Sequence, residues 1–290
     1  MFGRNLTAHN KLMCSSAFGY AQIPQAELTY PLGHYPKFRI LYYQGVAMRD
    51  KRNLNYGGTT WHVFMNLLLG IIFFVIAIYG GSTFHPVIYL LFLPVPYFVV
   101  KAIKWRAGGF LEERLRIREE LIKLVQPAEG DRVLDVGTGG GLLAIGFAKA
   151  AKDVKATGID IWVPGGGGTS LRTAKRNAEI EGVADRVEFK RADARDIPYP
   201  DNCFDIVVSS FVLHMIYKNR DMAFKEMIRV LKPRGKFAIV EPPGGYKWRI
   251  NEDLKIKLEN FGLKNVKFTP VMINYPKKRN VYIIYGEKGE

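Results

Sequence analysis

Asp135 sits two residues ahead of the first glycine in Leu134-Asp135-Val136-Gly137-Thr138-Gly139-Gly140-Gly141, where an apolar run ends in a glycine-rich turn. Glycines let the chain turn tightly and let a ligand approach without meeting a Cβ, and a helix starting at or just after Gly141 offers unpaired N–H groups. Asp160 follows nineteen residues beyond Gly141, at the end of the next apolar run, where a carboxylate can bridge the two hydroxyls of a ribose. Asp193, with Ala194, closes a third run and brings a carboxylate within reach of an adenine amino group. Gly139-x-Gly141-x-x-Ala144 also fits a dinucleotide pattern. Against that pattern, Asp135 would repel a pyrophosphate, whereas it suits a ligand bearing an ammonium. No Gly-Lys-Ser/Thr follows, which excludes a triphosphate-binding loop.

A second group of residues could act on an acceptor. The apolar run Phe204 to Ser209 leads into Ser210, Phe211, Leu213 and His214. His214 is the first candidate for a base or an acceptor-orienting group, because its unperturbed pKa lies near neutrality. The alternative is a histidine packed under the following helix. Tyr217 and Glu241 are further candidates, each with a packing role as its alternative.

The elements that must position these residues alternate. Arg132–Gly137, Val154–Asp160, Val187–Ala192, Phe204–Ser209 and Lys236–Glu241 read as strands. Gly141–Ala151, Ser170–Glu181, Arg220–Leu231 and Trp248–Phe261 read as helices, and Phe110–Val125 as a helix ahead of them. Such alternation predicts parallel strands with right-handed crossovers, hence a doubly wound α/β sheet that binds ligands beyond its carboxyl edge. Val266–Ile273 and Asn280–Tyr285, with Pro276, Lys277 and Lys278 between them, predict a closing antiparallel hairpin.

In that order the motifs LDVGTGGG, GID (158–160), ADA (192–194), FDIVVSSFVLHMI (204–216) and VLKPRGKFAIVEP (230–242) resemble those of class I S-adenosylmethionine-dependent methyltransferases, in the methyltransferase-11 or UbiE-like branch. The resemblance implies a mostly parallel, seven-stranded, Rossmann-like sheet and S-adenosyl-L-methionine as cofactor. It implies that Asp135, Gly137, Thr138, Gly139 and Gly141 surround the methionine end, with Ser209 nearby. Asp160 would hold the ribose, Asp193 and Ala194 the adenine, with Ile161 and Trp162 as apolar neighbours of the base. One departure is the glycine-rich Val163–Thr169, which reads either as a flexible connection or as a flap. The Asn-Pro-Pro-Tyr signature of amino-group DNA methyltransferases is absent, the strand end reading Ser-Ser-Phe-Val.

Composition adds the setting. Forty-two Lys+Arg against 27 Asp+Glu give a net charge of +15 over 290 residues, yet residues 63–100 carry no charged side chain. Val63–Tyr79 and Val87–Ile103 read as two apolar helices, with Trp61, His62 and Trp105 at their ends and Pro94 and Pro96 predicting a kink in the second. A re-entrant hairpin is the variant, and a hydrophobic hairpin in a large core the alternative. Arg49, Lys51 and Arg52 before the pair and Lys101, Lys104 and Arg106 after it put both flanks in the cytoplasm by the positive-inside rule. The expected organisation is a cytoplasmic arm over 1–60, a two-helix membrane hairpin over 61–106 and a catalytic domain over 107–290, in a multi-pass cell-membrane protein. Basic flanks against anionic headgroups account for part of the charge. No nucleic-acid motif is visible, so nucleic acid is not an expected partner. Cys14 and Cys203 are too far apart for a metal or redox motif, no metal-ligand spacing is seen, and no leader segment is recognisable in the first 60 residues.

Three functions fit this pattern. One is a membrane-anchored methyltransferase for an amphiphilic acceptor such as a lipid headgroup or polyprenyl quinol. The others are an anchored protein methyltransferase and a non-catalytic module that binds the cofactor.

Overall fold

A computed structural model describes residues 54–57, 59–83, 85–106, 109–163, 169–245, 248–274 and 278–290. The expectations for most of the 1–60 arm, for Cys14, for Arg49, Lys51 and Arg52, for the run Gly165–Gly168, and for Pro276 and Lys277 lie outside the described residues.

Nine strands are formed among the described residues: β1 Arg132–Val136, β2 Lys155–Asp160, β3 Val187–Arg191, β4 Phe204–Ser210, β5 Leu231–Glu241, β6 Gly244–Gly245, β7 Trp248–Arg249, β8 Leu263–Ile273 and β9 Arg279–Lys288. Seven of them make one sheet in the order β3-β2-β1-β4-β5-β9-β8, and β6 with β7 makes a two-residue ribbon. The first five strands pair in parallel, while β9 is antiparallel to both β5 and β8. This is the sheet that the alternating pattern predicts.

The central strands β1 and β4 are buried almost continuously because helices cover both faces of the sheet there. The helices are α1 Thr59–Thr83, α2 Pro94–Arg106, α3 Gly109–Val125, α4 Leu142–Ala150, α5 Leu171–Ile180, α6 Arg220–Val230 and α7 Glu252–Asn260. On one face Ile117, Leu121, Phe147 and Ala178 from α3–α5 pack on Val133, Ile206 and Val208. On the other, Phe224, Met227 and Leu258 from α6 and α7 pack on Leu134, Val207 and Phe237.

Several boundaries differ from expectation: β8 starts three residues early at Leu263 and β9 runs three residues further, to Lys288. β5 starts at Leu231, five residues early, because Leu231 pairs with Phe204 before a register shift that carries the ladder past Pro233 and Gly235. Trp248 does not open a helix. It pairs with Gly245, and α7 starts only after Asn251, whose side chain accepts from Leu254 N–H as an N-cap.

The second apolar arm also differs. It is not one helix over Val87–Ile103 but a 3-10 turn, Pro86–Phe92, followed by α2, which opens at Pro94, where the missing N–H costs nothing. One helix, with Val63–Thr83 as its apolar stretch and a mean hydropathy of 2.5, is long and apolar enough among the described residues to cross a membrane. The two arms pack closely. Phe73 stacks on Phe98 at 5.5 Å between centroids, and Cβ atoms added at Gly80 and Gly81 would meet Ile88 and Tyr89 at 2.9 and 2.5 Å. Outward, Phe64, Ile71, Tyr79, Leu90, Leu93 and Ile103 are exposed.

Both roots of this hairpin lie at the carboxyl edge of the sheet. Leu54–Gly57, just before α1, touch the glycine turn that follows β1. α3, just after α2, runs back from that edge towards the start of β1. Its Glu113 accepts from Asn274 N–H and Nδ2 at 3.0 and 3.1 Å, and Arg116 donates to Met272 O, at the end of β8. Since β8 runs parallel to β5, that end belongs to the same edge.

Candidate active site

Beyond β1 the chain turns through Gly137, Gly139 and Gly141 with φ of +72°, +55° and +87°. A Cβ on Gly137 would stand 2.2 Å from Val212, so glycine is required there by space as well as by conformation. Asp135 lies buried beneath the turn. Its Oδ2 accepts from Thr138 Oγ1 at 2.6 Å and from Ala144 N–H at 3.0 Å, while Oδ1 has no hydrogen bond among the described residues. Burial pushes the carboxyl up to about 7, against the pull of the Thr138 and Ala144 bonds, with nearby Asp160 adding to the rise. A buried acid whose second oxygen is unbonded suits an ammonium ligand, which would favour its ionised form.

Asp160 braces the same turn. Its Oδ2 accepts from Gly139 N–H at 2.9 Å and its Oδ1 from Trp162 N–H at 2.8 Å, which orients the carboxylate at the mouth of β2. Trp162 departs from its expected place as a neighbour of the base. With φ of +41° it folds inward, is nearly buried, and donates Nε1–H to Gly139 O at 2.9 Å. The indole therefore stiffens the glycine turn, and Ile161 is left as the exposed apolar side chain there.

Asp193 is engaged by Arg195, which donates Nε–H at 3.0 Å to Oδ1 and Nη2–H at 2.6 Å to Oδ2. These bonds hold its carboxyl below the usual range. An adenine amino group there would share an already neutralised carboxylate. Ala194 is buried beside it. Ser209, at the end of β4 next to Val136, is fully buried with no partner for Oγ among the described residues. An orphaned hydroxyl at this edge is itself an argument for a polar ligand. Asp135, the glycine turn, Asp160 and Ser209 thus fit S-adenosylmethionine.

On the acceptor side, β4 and β5 are neighbours, so His214, just past β4, meets Glu241, the last residue of β5. Nδ1 of His214 and Oε2 of Glu241 are 2.6 Å apart. Glu241 is not open to an acceptor as the sequence suggested. It is fully buried, and its carboxylate accepts the N–H groups of Val212, Leu213 and His214 at 2.9, 2.7 and 3.3 Å, so its role is to position the short 3-10 turn Leu213–Met215 and its imidazole. Tyr217 is exposed three residues on and interacts electrostatically with Arg195.

Two groups were missed. Arg220 donates Nε–H to Leu213 O at 2.7 Å while its guanidinium lies 5.2 Å from the ring centre of Trp248, clamping the His214 turn from outside. Asn177 ties the glycine turn to Asn55. The position of Arg220 at the start of α6 was a usable signal; Asn177 gave none.

Residues 134–239 match the model of a family described as a methyltransferase domain. Ubiquinone/menaquinone biosynthesis C-methyltransferase of Pseudomonas fluorescens is 38% identical over 120 residues, which are 41% of this chain and 45% of that protein. Erythromycin 3''-O-methyltransferase of Saccharopolyspora erythraea is 36% identical over 138 residues, 47% of this chain and 43% of its own. The chain spans less than half the length of these curated relatives. Among solved structures, a Haemonchus contortus phosphoethanolamine N-methyltransferase 2 aligns with a TM-score of 0.52 at 18% identity, over 63% of this chain and 57% of that one. The cyclase SpnF aligns with a TM-score of 0.51 at 22% identity, over 60% and 81%. These two show the fold alone, and a cyclase on the same scaffold shows why the reaction must be read from the site. Over residues 134–239 the chain is thus similar to methyltransferase domains, and both curated relatives named above are methyltransferases.

Proposed function

We propose that the protein is a membrane-anchored methyltransferase that transfers a methyl group to a hydroxyl of an amphiphilic, membrane-associated acceptor. The observation that carries this reading is the imidazole of His214, tethered at Nδ1 by the buried Glu241 carboxylate. Such tethering fixes the tautomer with Nε2 as the acceptor nitrogen, the arrangement of a general base. An acceptor that must lose a proton needs one, as a neutral amine does not.

S-adenosylmethionine supplies a methyl group already activated by its sulfonium. Asp135 and Ser209 would hold its methionine end, Asp160 the ribose, and Asp193 with Ile161 the base. His214 Nε2 would take the acceptor hydroxyl proton as the methyl group is transferred. Glu241 stabilises the imidazolium that results, and Arg220 keeps the turn in place.

The membrane part is supported by the exposed apolar surface of the hairpin and by its two roots at the carboxyl edge, beside the catalytic groups. An acceptor held in the cytoplasmic leaflet would then lie on the same side as the site. The relatives are named for a C-methylation in quinone biosynthesis and an O-methylation, both of small molecules, which agrees with a small acceptor.

The test is methyl transfer from labelled S-adenosylmethionine by the protein reconstituted in lipid vesicles with a total membrane-lipid extract. Label in an alkali-stable ether of a lipid fraction supports the reading. Cofactor binding with label only in protein would overturn it in favour of a protein acceptor.

A further inference from the structure

The four residues ahead of the apolar helix are built into the cofactor turn. The Asn177 carboxamide donates from Nδ2 to Gly140 O at 2.8 Å and to Asn55 O at 2.9 Å, while its Oδ1 accepts from Asn55 N–H at 3.2 Å. One buried side chain thus joins the turn to the segment. Gly140 shows how close they are. A Cβ there would stand 2.6 Å from Asn55 O and 3.0 Å from Tyr56 Cα, so Gly140 is bare because Leu54–Gly57 lies against it. The Tyr56 ring is buried and its hydroxyl donates to Glu181 Oε1. Burial pushes the Glu181 carboxyl up, but Arg118, Lys149 and Tyr56 outweigh it and hold it below the usual range.

Both roots of the hairpin converge here. α1 begins at Thr59, two positions after Gly57. From the other root, α3 supplies Arg114, which donates to Tyr56 O, and Arg118, which pairs with Glu181 at 3.4 Å. A shift of either arm is therefore felt at Asn55 and Tyr56, and through Asn177 at Gly140.

We propose that Asn55–Gly57 is a positioning strap for the cofactor turn, and that through it S-adenosylmethionine binds more tightly when the apolar hairpin is seated in lipid. The lipid half of this inference rests on the membrane reading above. Linkage makes the effect reciprocal: cofactor strengthens the seating of the hairpin by the same factor. The device would keep the cofactor site weak until the protein stands where its acceptor is.

The full chain, in phosphatidylcholine nanodiscs and separately in dodecyl maltoside micelles, is titrated calorimetrically with S-adenosylmethionine. The wild type is expected to bind about tenfold more tightly in the nanodisc. Asn177→Ala, which cuts the bridge, and Gly140→Ala, which displaces the strap without needing a left-handed backbone, should weaken binding in nanodiscs about tenfold and abolish the nanodisc-to-micelle ratio. At saturating cofactor Asn177→Ala should keep kcat near wild type, with the KM for S-adenosylmethionine raised. Tyr56→Phe, which keeps the ring against the turn, should retain most of the ratio. Equal wild-type affinity in the two media, or an unchanged ratio in Asn177→Ala, would overturn the proposal. If the wild type fails to float with vesicles, the membrane reading and the lipid half both fall; weakened binding by Asn177→Ala would then show that the strap itself survives.

Discussion

His214 Nδ1 and Glu241 Oε2 are 2.6 Å apart, and the same carboxylate already holds three main-chain N–H groups of the turn that carries His214. The carboxylate therefore orients the imidazole twice, through the ring and through its backbone. A buried acceptor with four donors is a rigid post, because losing it would leave those donors unsatisfied.

From this relationship, His214→Ala should lower kcat by roughly a hundredfold to ten-thousandfold while leaving S-adenosylmethionine affinity within about twofold. Glu241→Gln should cost a comparable factor, since its amide can face the three N–H groups and the ring only with one polarity wrong. Both are read by single-turnover transfer and calorimetry. A His214→Ala protein with full kcat would remove the general base from the mechanism.

The buried Asp135 carboxyl makes cofactor binding depend on pH. Its pKa is raised from the ordinary 3.8 to about 7, so the folded chain holds a proton that the unfolded chain has released between those values. Stability from this group thus falls as pH rises from about 4 to 7, by roughly 4 kcal/mol at the upper limit. An ammonium ligand favours the ionised form, so its affinity should rise about tenfold per pH unit from 5.5 to 6.5 and level off above 7. Asp135→Asn should flatten that profile, weaken binding, and raise the unliganded Tm at pH 8 but not at pH 4. A lower Tm at pH 8 would contradict the buried-acid account.

Gly137 couples the cofactor turn to the His214 turn by contact with Val212. Gly137→Ala should destabilise the chain by about 3 kcal/mol, combining overpacking with the cost of a side chain at positive φ. Val212→Ala in the same chain should recover the overpacking part and leave roughly 1–2 kcal/mol of backbone cost. Urea unfolding of the two single variants and the double variant measures the coupling, and strict additivity would show that the contact does not matter.

The sequence made some of this legible and hid the rest for physical reasons. Asp135, Asp160 and Ser209 were readable because a short apolar run ends where a strand ends, and the edge of a parallel sheet is where ligands bind. Trp162 was not, since a positive φ and an indole bond to Gly139 are conformational facts that no residue type announces. His214 and Glu241 were each singled out, but their pairing depends on β4 and β5 being neighbours, and the burial of Glu241 on three N–H groups lying 27 to 29 residues away. Asn55 and Tyr56 stayed hidden because they lie in a stretch with no period, and much of their bonding is through main-chain atoms.

The apolar hairpin offers a test in which water and lipid give opposite answers. Ile71, at the middle of Thr59–Thr83, is 59% exposed. If that surface faces water, Ile71→Lys replaces an exposed apolar side chain by a solvated one and should change stability by less than about 0.5 kcal/mol while improving solubility. If it faces a bilayer, a lysine at the helix centre costs about 3 kcal/mol, which is roughly a hundredfold in partition. Flotation of the full chain with vesicles should therefore drop sharply for Ile71→Lys, while thermal melting of the sheet domain, whose core lies on the other side of the Asn55–Tyr56 segment, stays unchanged. Unaltered flotation would mean that Ile71 does not face lipid, and a fall in the melting temperature would mean that the hairpin packs on the domain through that side chain instead.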